Sequence, residues 1–131
     1  MAKINELQKY INYEFSSGPY TGKDYKTFET KYINYIRSFS KENGWEVVNV
    51  GRNHYCFTLF VKSKENKYVY VSVSDVRHFN KDWYERVLIR TAEHEKDYRG
   101  GHNYYAKLED LQYAINRLLN GKSYERQYIW L

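Results

Sequence analysis

The densest run of groups able to bind or move protons lies between residues 90 and 105. It reads Arg90-Thr91-Ala92-Glu93-His94-Glu95-Lys96-Asp97-Tyr98-Arg99-Gly100-Gly101-His102-Asn103-Tyr104-Tyr105. Gly100-Gly101 allows a close approach of backbone to ligand. The helix expected next would present an anion-favouring N-terminus. Arg90, His94, Arg99 and His102 add donors for a phosphate or carboxylate. Paired glycines also serve plain turns, so a polar connection explains the same residues. His94, Glu95, Asp97 and His102 could meet around an ion, but their spacing is not that of a helix-borne His-Glu-x-x-His pair. No metal or cofactor is expected.

Other chemistries have thinner support. The phosphate-loop pattern Gly-x-x-x-x-Gly-Lys-Ser/Thr and the Gly-x-Ser-x-Gly elbow are absent from the sequence. The one cysteine, Cys56, stands mid-strand among large apolar residues, where a thiol is normally inert. Metal-independent ribonuclease chemistry would need a base, an acid and cations. Arg90, His94 and His102 beside Tyr98 are its candidates. A third possibility is nucleic-acid binding by stacking. Tyr55, Tyr68, Tyr70 and Trp83 stand near Arg52, Lys62, Lys67 and Arg86, and interleaved aromatics and cations can hold bases and backbone. Alternate tyrosines in strands are equally expected for structural reasons. The candidate binding set is Tyr68, Tyr70, Arg90, His94, Tyr98, Arg99, Gly100, Gly101, His102 and Tyr104.

These residues must be held by a small number of elements. The chain has 131 residues, the size of one domain, and no repeat or linker divides it. Ile4, Leu7, Ile11 and Phe15 mark one helix face over 3–16, ended by Ser16-Ser17-Gly18-Pro19. Thr21 to Asp24 has the spacing of a capping box, with Asp in place of Glu or Gln. A second helix follows from about Asp24 through Tyr25, Phe28, Tyr32, Tyr35, Ile36 and Phe39 to a stop at Asn43-Gly44. Period-two segments come next: Trp45–Val50, a central strand over 55–62, Lys67–Ser74 and roughly Tyr84–Glu93. A loop, Asp75–Asp82, separates the last two, and a polar loop spans 94–105. A last helix is expected over about 107–120. The order α-α-β-β-β-β-α predicts an α+β two-layer sandwich: a four-stranded antiparallel meander with helices on one face. The other face is expected to be open and to carry Tyr68 and Tyr70.

Composition sets the remaining bounds. Tyr (16 residues), Phe (6) and Trp (3) make up 19% of the chain, so much apolar volume carries a phenol. Net charge is +5, which permits nucleic-acid contact without demanding it. The single cysteine, a polar Met1–Tyr10 and the lack of a long apolar run lead to the expectation of a cytoplasmic protein with no membrane contact. Tyr128-Ile129-Trp130-Leu131 is expected to pack on the domain or against a second copy, so a homodimer stays open.

The Arg90–Tyr105 segment and the Leu108–Leu119 helix resemble small phage and mobile-element proteins of low-GC Gram-positive bacteria, a group that includes anti-CRISPR-type inhibitors. This resemblance covers about the C-terminal third and transfers no residue role. It implies a non-enzymatic binding protein whose partner is a host or competitor protein, such as a nucleic-acid-processing defence effector. A mimic of nucleic acid would be acidic, whereas this chain is basic, so contact would rest on aromatics, shape or Glu93, Glu95 and Asp97. An RNA- or DNA-binding module is the alternative, and a small ribonuclease the third. Two helices before an antiparallel sheet also resemble the RelE-like toxin ribonucleases, whose leading strand is missing here. The helix-sheet-helix order is similar to the double-stranded-RNA-binding domain, but Lys107-Leu108-Glu109-Asp110 stands where that family would have a lysine cluster.

Overall fold

The computed structural model describes residues 7, 22–52, 56–74, 86–99 and 102–122. The 3–16 helix (Leu7 apart), Tyr55, the Asp75–Asp82 loop, Trp83, Gly100, Gly101 and the Tyr128–Leu131 tail lie outside the described residues. Thr21, the first residue of the expected capping box, does so too.

Helix α1 spans Gly22–Glu42. Its apolar residues recur at spacings of three and four, and Phe28, Tyr32, Ile33, Ile36 and Phe39 are all buried. The helix ends where the sequence places a left-handed residue. Gly44 has φ +75, Gly44 N–H donates to Lys41 O at 3.2 Å and Trp45 N–H to Ser40 O at 2.8 Å. This is the paired closure of a Schellman motif, which uses up carbonyls the helix leaves orphaned.

Five strands follow: β1 Glu46–Arg52, β2 Cys56–Lys62, β3 Tyr68–Ser74, β4 Arg86–Ala92 and β5 Tyr104–Lys107. They form one antiparallel sheet in sequence order. A 3-10 turn, Leu108–Asp110, then leads into helix α2, Leu111–Leu119. The α+β class holds, but the strand count is five rather than four. Tyr104–Lys107 was expected to be loop running into helix. Four residues carry too little alternation to announce a strand, and this one exists because β4 offers it an edge to pair with: Ile89 meets Tyr104 and Val87 meets Ala106. Helix α2 therefore begins several residues later than its periodicity suggested.

Strand β1 runs past Val50, the expected end of its segment, with Gly51 and Arg52 still paired to Thr58 and Phe57. Its register shifts between Val48 and Gly51. Asn49 takes φ +50 there, which an Asn tolerates better than a branched residue. The bulge keeps both Val47 and Val50 against the core although they are three residues apart.

Helices α1 and α2 share one core with one sheet face. Phe57, Leu59 and Val61 of β2, Val69, Val71 and Val73 of β3, and Val87 and Ile89 of β4 meet Leu111, Ala114, Ile115, Leu118 and Leu119 of α2 in a single buried cluster. Leu7, buried and helical, belongs to it too. Edge-to-face rings fill the α1 side, with Phe28 and Tyr32 at 5.3 Å and Tyr32 and Phe57 at 5.7 Å between centroids. Among the described residues, no helix is long and apolar enough to cross a membrane.

Candidate functional site

The second sheet face was expected to be open. Its centre is covered by the chain's own β4–β5 segment. Phe60 is fully buried and Tyr70 only 9% exposed. Tyr98 lies over both, with ring centroids 5.5 Å from Phe60 and 5.9 Å from Tyr70, edge-on in each case. Arg90 completes the stack: its guanidinium sits 4.5 Å from the Tyr70 ring centroid, and one of its N–H groups donates to the Tyr98 carbonyl. The Asn49 amide at the β1 bulge donates to Glu95 O at 2.5 Å and to Tyr98 Oη at 2.9 Å. The bulge thus positions the side chain that clamps a segment 46–49 residues away in sequence.

The segment is also braced internally. The Asp97 carboxylate accepts the backbone N–H of Glu93 at 2.9 Å and of Arg99 at 3.2 Å. Those bonds, chiefly the one from Glu93, hold its carboxyl below the usual value. His94 Nδ1 accepts the N–H of Lys96 at 3.1 Å. Burial pushes the Tyr70 phenol up.

This geometry corrects several sequence-based expectations. Tyr70, Arg90 and Tyr98 come together on this face: Tyr70 is buried, Arg90 is half-buried and Tyr98 is 49% exposed. Tyr68 is half-buried near the sheet end, with Lys62 Nζ 6.0 Å from its ring centroid. Tyr104 belongs to β5 and packs against the main core, and His102 meets its ring edge at 5.0 Å. His94, Arg99 and His102 are exposed. Among the described residues, no three His, Cys, Asp or Glu side chains gather so as to hold a metal ion.

A second surface feature lies on α1. The outer side of α1 borders a concavity of about 860 Å³ lined by Lys23, Lys26, Thr27, Thr30, Lys31 and Asn34. Their spacing is that of one helix face, opposite Phe28, Ile36 and Phe39. Arg37 and Lys41 fall in the same angular sector further along. Among the described lining residues none is acidic or aromatic. The one glutamate in the middle of α1, Glu29, is buried on the inner side and pairs with Arg52 of β1 at 3.5 Å. Sequence reasoning used only the apolar half of this helical pattern. The signal for the cationic half was present at the same spacing: lysines at 23, 26 and 31 with threonines and an asparagine between them.

Comparison with family models, with curated proteins and with solved structures finds no match to this chain.

Proposed function

We propose that this domain is a non-enzymatic binding protein whose working surface is the cationic outer face of α1, and that its partner is nucleic acid. The observation that carries this reading is the concavity walled by Lys23, Lys26 and Lys31 with hydroxyl and amide groups between them. Ammonium, hydroxyl and carboxamide groups are donors to phosphate oxygens. Of the groups expected for ribonuclease chemistry, Arg90 is stacked on Tyr70 and bonded to Tyr98, and His94 accepts a backbone N–H group.

The test is an anisotropy titration with labelled RNA and DNA at about 50 and 200 mM salt, the range over which phosphate contacts lose affinity steeply. Submicromolar binding that weakens sharply with salt, leaves the probe intact and is lost in Lys23→Glu/Lys26→Glu is the expected result. Absence of binding at the lower salt overturns it.

A second reading keeps the implication of the C-terminal resemblance: an inhibitor that docks on a host defence protein in the cytoplasm. One surface feature favours it. Tyr113 on α2 is 59% exposed, with the Arg117 guanidinium 6.0 Å from its ring centroid. Exposed Tyr with Arg is a common interface anchor. Under this reading a candidate effector would be retained by the wild type, released by Tyr113→Ala and unaffected by Lys23→Glu/Lys26→Glu.

A further inference from the structure

Resting on the nucleic-acid reading above, we infer that α1 lies in the major groove of double-stranded DNA. Lys26 and Arg37 meet phosphates of the two strands that border the groove, and Thr30 and Asn34 meet base edges between them.

The order of residues along the outer side of the helix leads there. Lys23, Lys26, Thr30, Asn34, Arg37 and Lys41 are all exposed and recur at spacings of three and four along α1. At 3.6 residues per turn they fall within an arc of about 80°. This stripe faces away from buried Phe28, Tyr32, Ile36 and Phe39. Cations take both of its ends, Lys23 and Lys26 at one and Arg37 and Lys41 at the other. The middle holds Thr30 and Asn34. Solubility asks for charge but not for an order, and here the charge is split around a polar, uncharged centre. Glu29, in the same stretch of helix, is turned inward to Arg52, which keeps its charge off the stripe. Lys23 and Lys26 also line the α1 concavity, so the stripe is continuous with the surface proposed above.

The dimensions match a duplex. At about 1.5 Å per residue, Lys26 and Arg37 are roughly 16 Å apart along the helix axis. The major groove of B-form DNA is about 12 Å wide and admits an α-helix. A helix set across it brings one cationic end to each bordering strand, where ammonium and guanidinium groups hold phosphate and fix the orientation.

The central pair then faces the groove floor. The Asn34 amide joins a donor to an acceptor, the combination that complements adenine N6 and N7. Thr30 offers a hydroxyl to a polar base edge and a methyl to that of thymine. Double-stranded RNA fits this arrangement poorly, because its major groove is too deep and narrow for side chains to read.

The experiment is anisotropy with a labelled mixed-sequence DNA duplex of about 20 base pairs, the RNA duplex of the same sequence and each DNA strand alone, across about 50–200 mM salt. Wild type is compared with Lys26→Ala/Arg37→Ala and with Asn34→Ala, and thermal melts confirm that each is folded. The DNA duplex is expected to bind at least about tenfold more tightly than the RNA duplex or either single strand. The slope of log K against log salt should become shallower by about 2 in Lys26→Ala/Arg37→Ala and stay as it is in Asn34→Ala. A DNA duplex library with randomised central base pairs, selected on each protein and sequenced, reads the base contacts. Wild type should enrich particular bases at the central positions, and Asn34→Ala should relax the preference at one of them by about tenfold. Equal affinity for the RNA duplex or the single strands overturns the major-groove placement while leaving nucleic-acid binding intact. So does unselective enrichment by wild type, an unchanged preference in Asn34→Ala or an unchanged salt slope in Lys26→Ala/Arg37→Ala. No binding to any oligomer at the lower salt overturns the nucleic-acid reading and this inference together.

Discussion

Tyr32 shows how this chain accommodates its phenols. The residue is 1% exposed, and its hydroxyl has no hydrogen-bond partner among the described residues. Burial, with smaller contributions from Tyr35 and Glu109, holds its ionisation well above the ordinary value. Tyr32→Phe removes an unsatisfied polar atom and keeps the rings that meet Phe28 and Phe57. It is expected to leave stability unchanged or raise it by about 0.5–1.5 kcal/mol in urea melts. The sign at high pH follows from the same cause. A phenol whose folded pKa is raised contributes stability below its unfolded value of about 10, and loses it as pH climbs toward the folded value. Wild-type stability should therefore fall above about pH 10, and Tyr32→Phe should fall less. Asp97 has the opposite sign. Its lowered carboxyl adds stability above the ordinary value of about 4, and that contribution is lost as pH drops through the lowered folded value. Asp97→Asn should be less stable than wild type at neutral pH, and the gap should close in acid, as read by melting temperature from about pH 7 to pH 2.

At the scale of elements, the two helix stops and the β1 bulge make contrasting demands on single residues. Gly44 and Gly121 both sit at left-handed φ, +75 and +73, each closing a helix. They differ in surroundings. A Cβ on Gly44 would lie 2.4 Å from Lys64 Cε, whereas one on Gly121 meets nothing within 4 Å. Alanine costs about 1–2 kcal/mol at each from backbone strain. The loss at Gly44 should be the greater, and Lys64→Ala should reduce the difference, because the obstacle is the end of a flexible side chain. The bulge makes its demand through Asn49. Asn49→Ala loses both bonds to the β4–β5 segment and is expected to cost about 1–2 kcal/mol. Amide exchange should quicken in residues 94–99 while α1 stays protected. Equal quickening in α1 would mean that the clamp supports the whole sheet and not the segment it touches.

For the whole molecule, the question is where a modest net charge of +5 is placed. Sign and sum alone say little about partners. Here one face of α1 carries Lys23, Lys26, Lys31, Arg37 and Lys41 at helical spacing, and the acidic Glu29 is turned inward to Arg52. Reversing Lys23 and Lys26 changes the net charge by four but removes no core contact, since both side chains are exposed. The melting temperature is expected to shift by no more than a few degrees, as surface substitutions do. An equal charge change placed on the β4–β5 segment, Lys96→Glu/Arg99→Glu, should leave any oligonucleotide affinity much closer to wild type. Equal losses from both pairs would make the interaction a matter of total charge and not of the α1 face.

Periodicity alone determined most of this architecture. The three-and-four spacing from Phe28 to Phe39 specifies α1 because only a helix puts those side chains on one side. Val69, Val71 and Val73 specify β3 because only a strand does so at spacing two. Asn43-Gly44 marked the end of α1 through the steric freedom of glycine. What local pattern could not determine was decided by partners distant in sequence. Strand β5 is four residues long and forms because β4 has an edge to fill. The Arg90–Tyr98 run carried the marks of an exposed ligand loop, since Arg, His and Asp are chemically alike whether they meet a ligand or the protein itself. Phe60, Tyr70 and the Asn49 bulge turn that run back onto the sheet, and no reading of residues 90–105 by themselves contains those contacts. The cationic face of α1 was written in the spacing of its lysines. That it borders a concavity was decided by the tertiary structure, because the depth of a surface depends on what packs beside it.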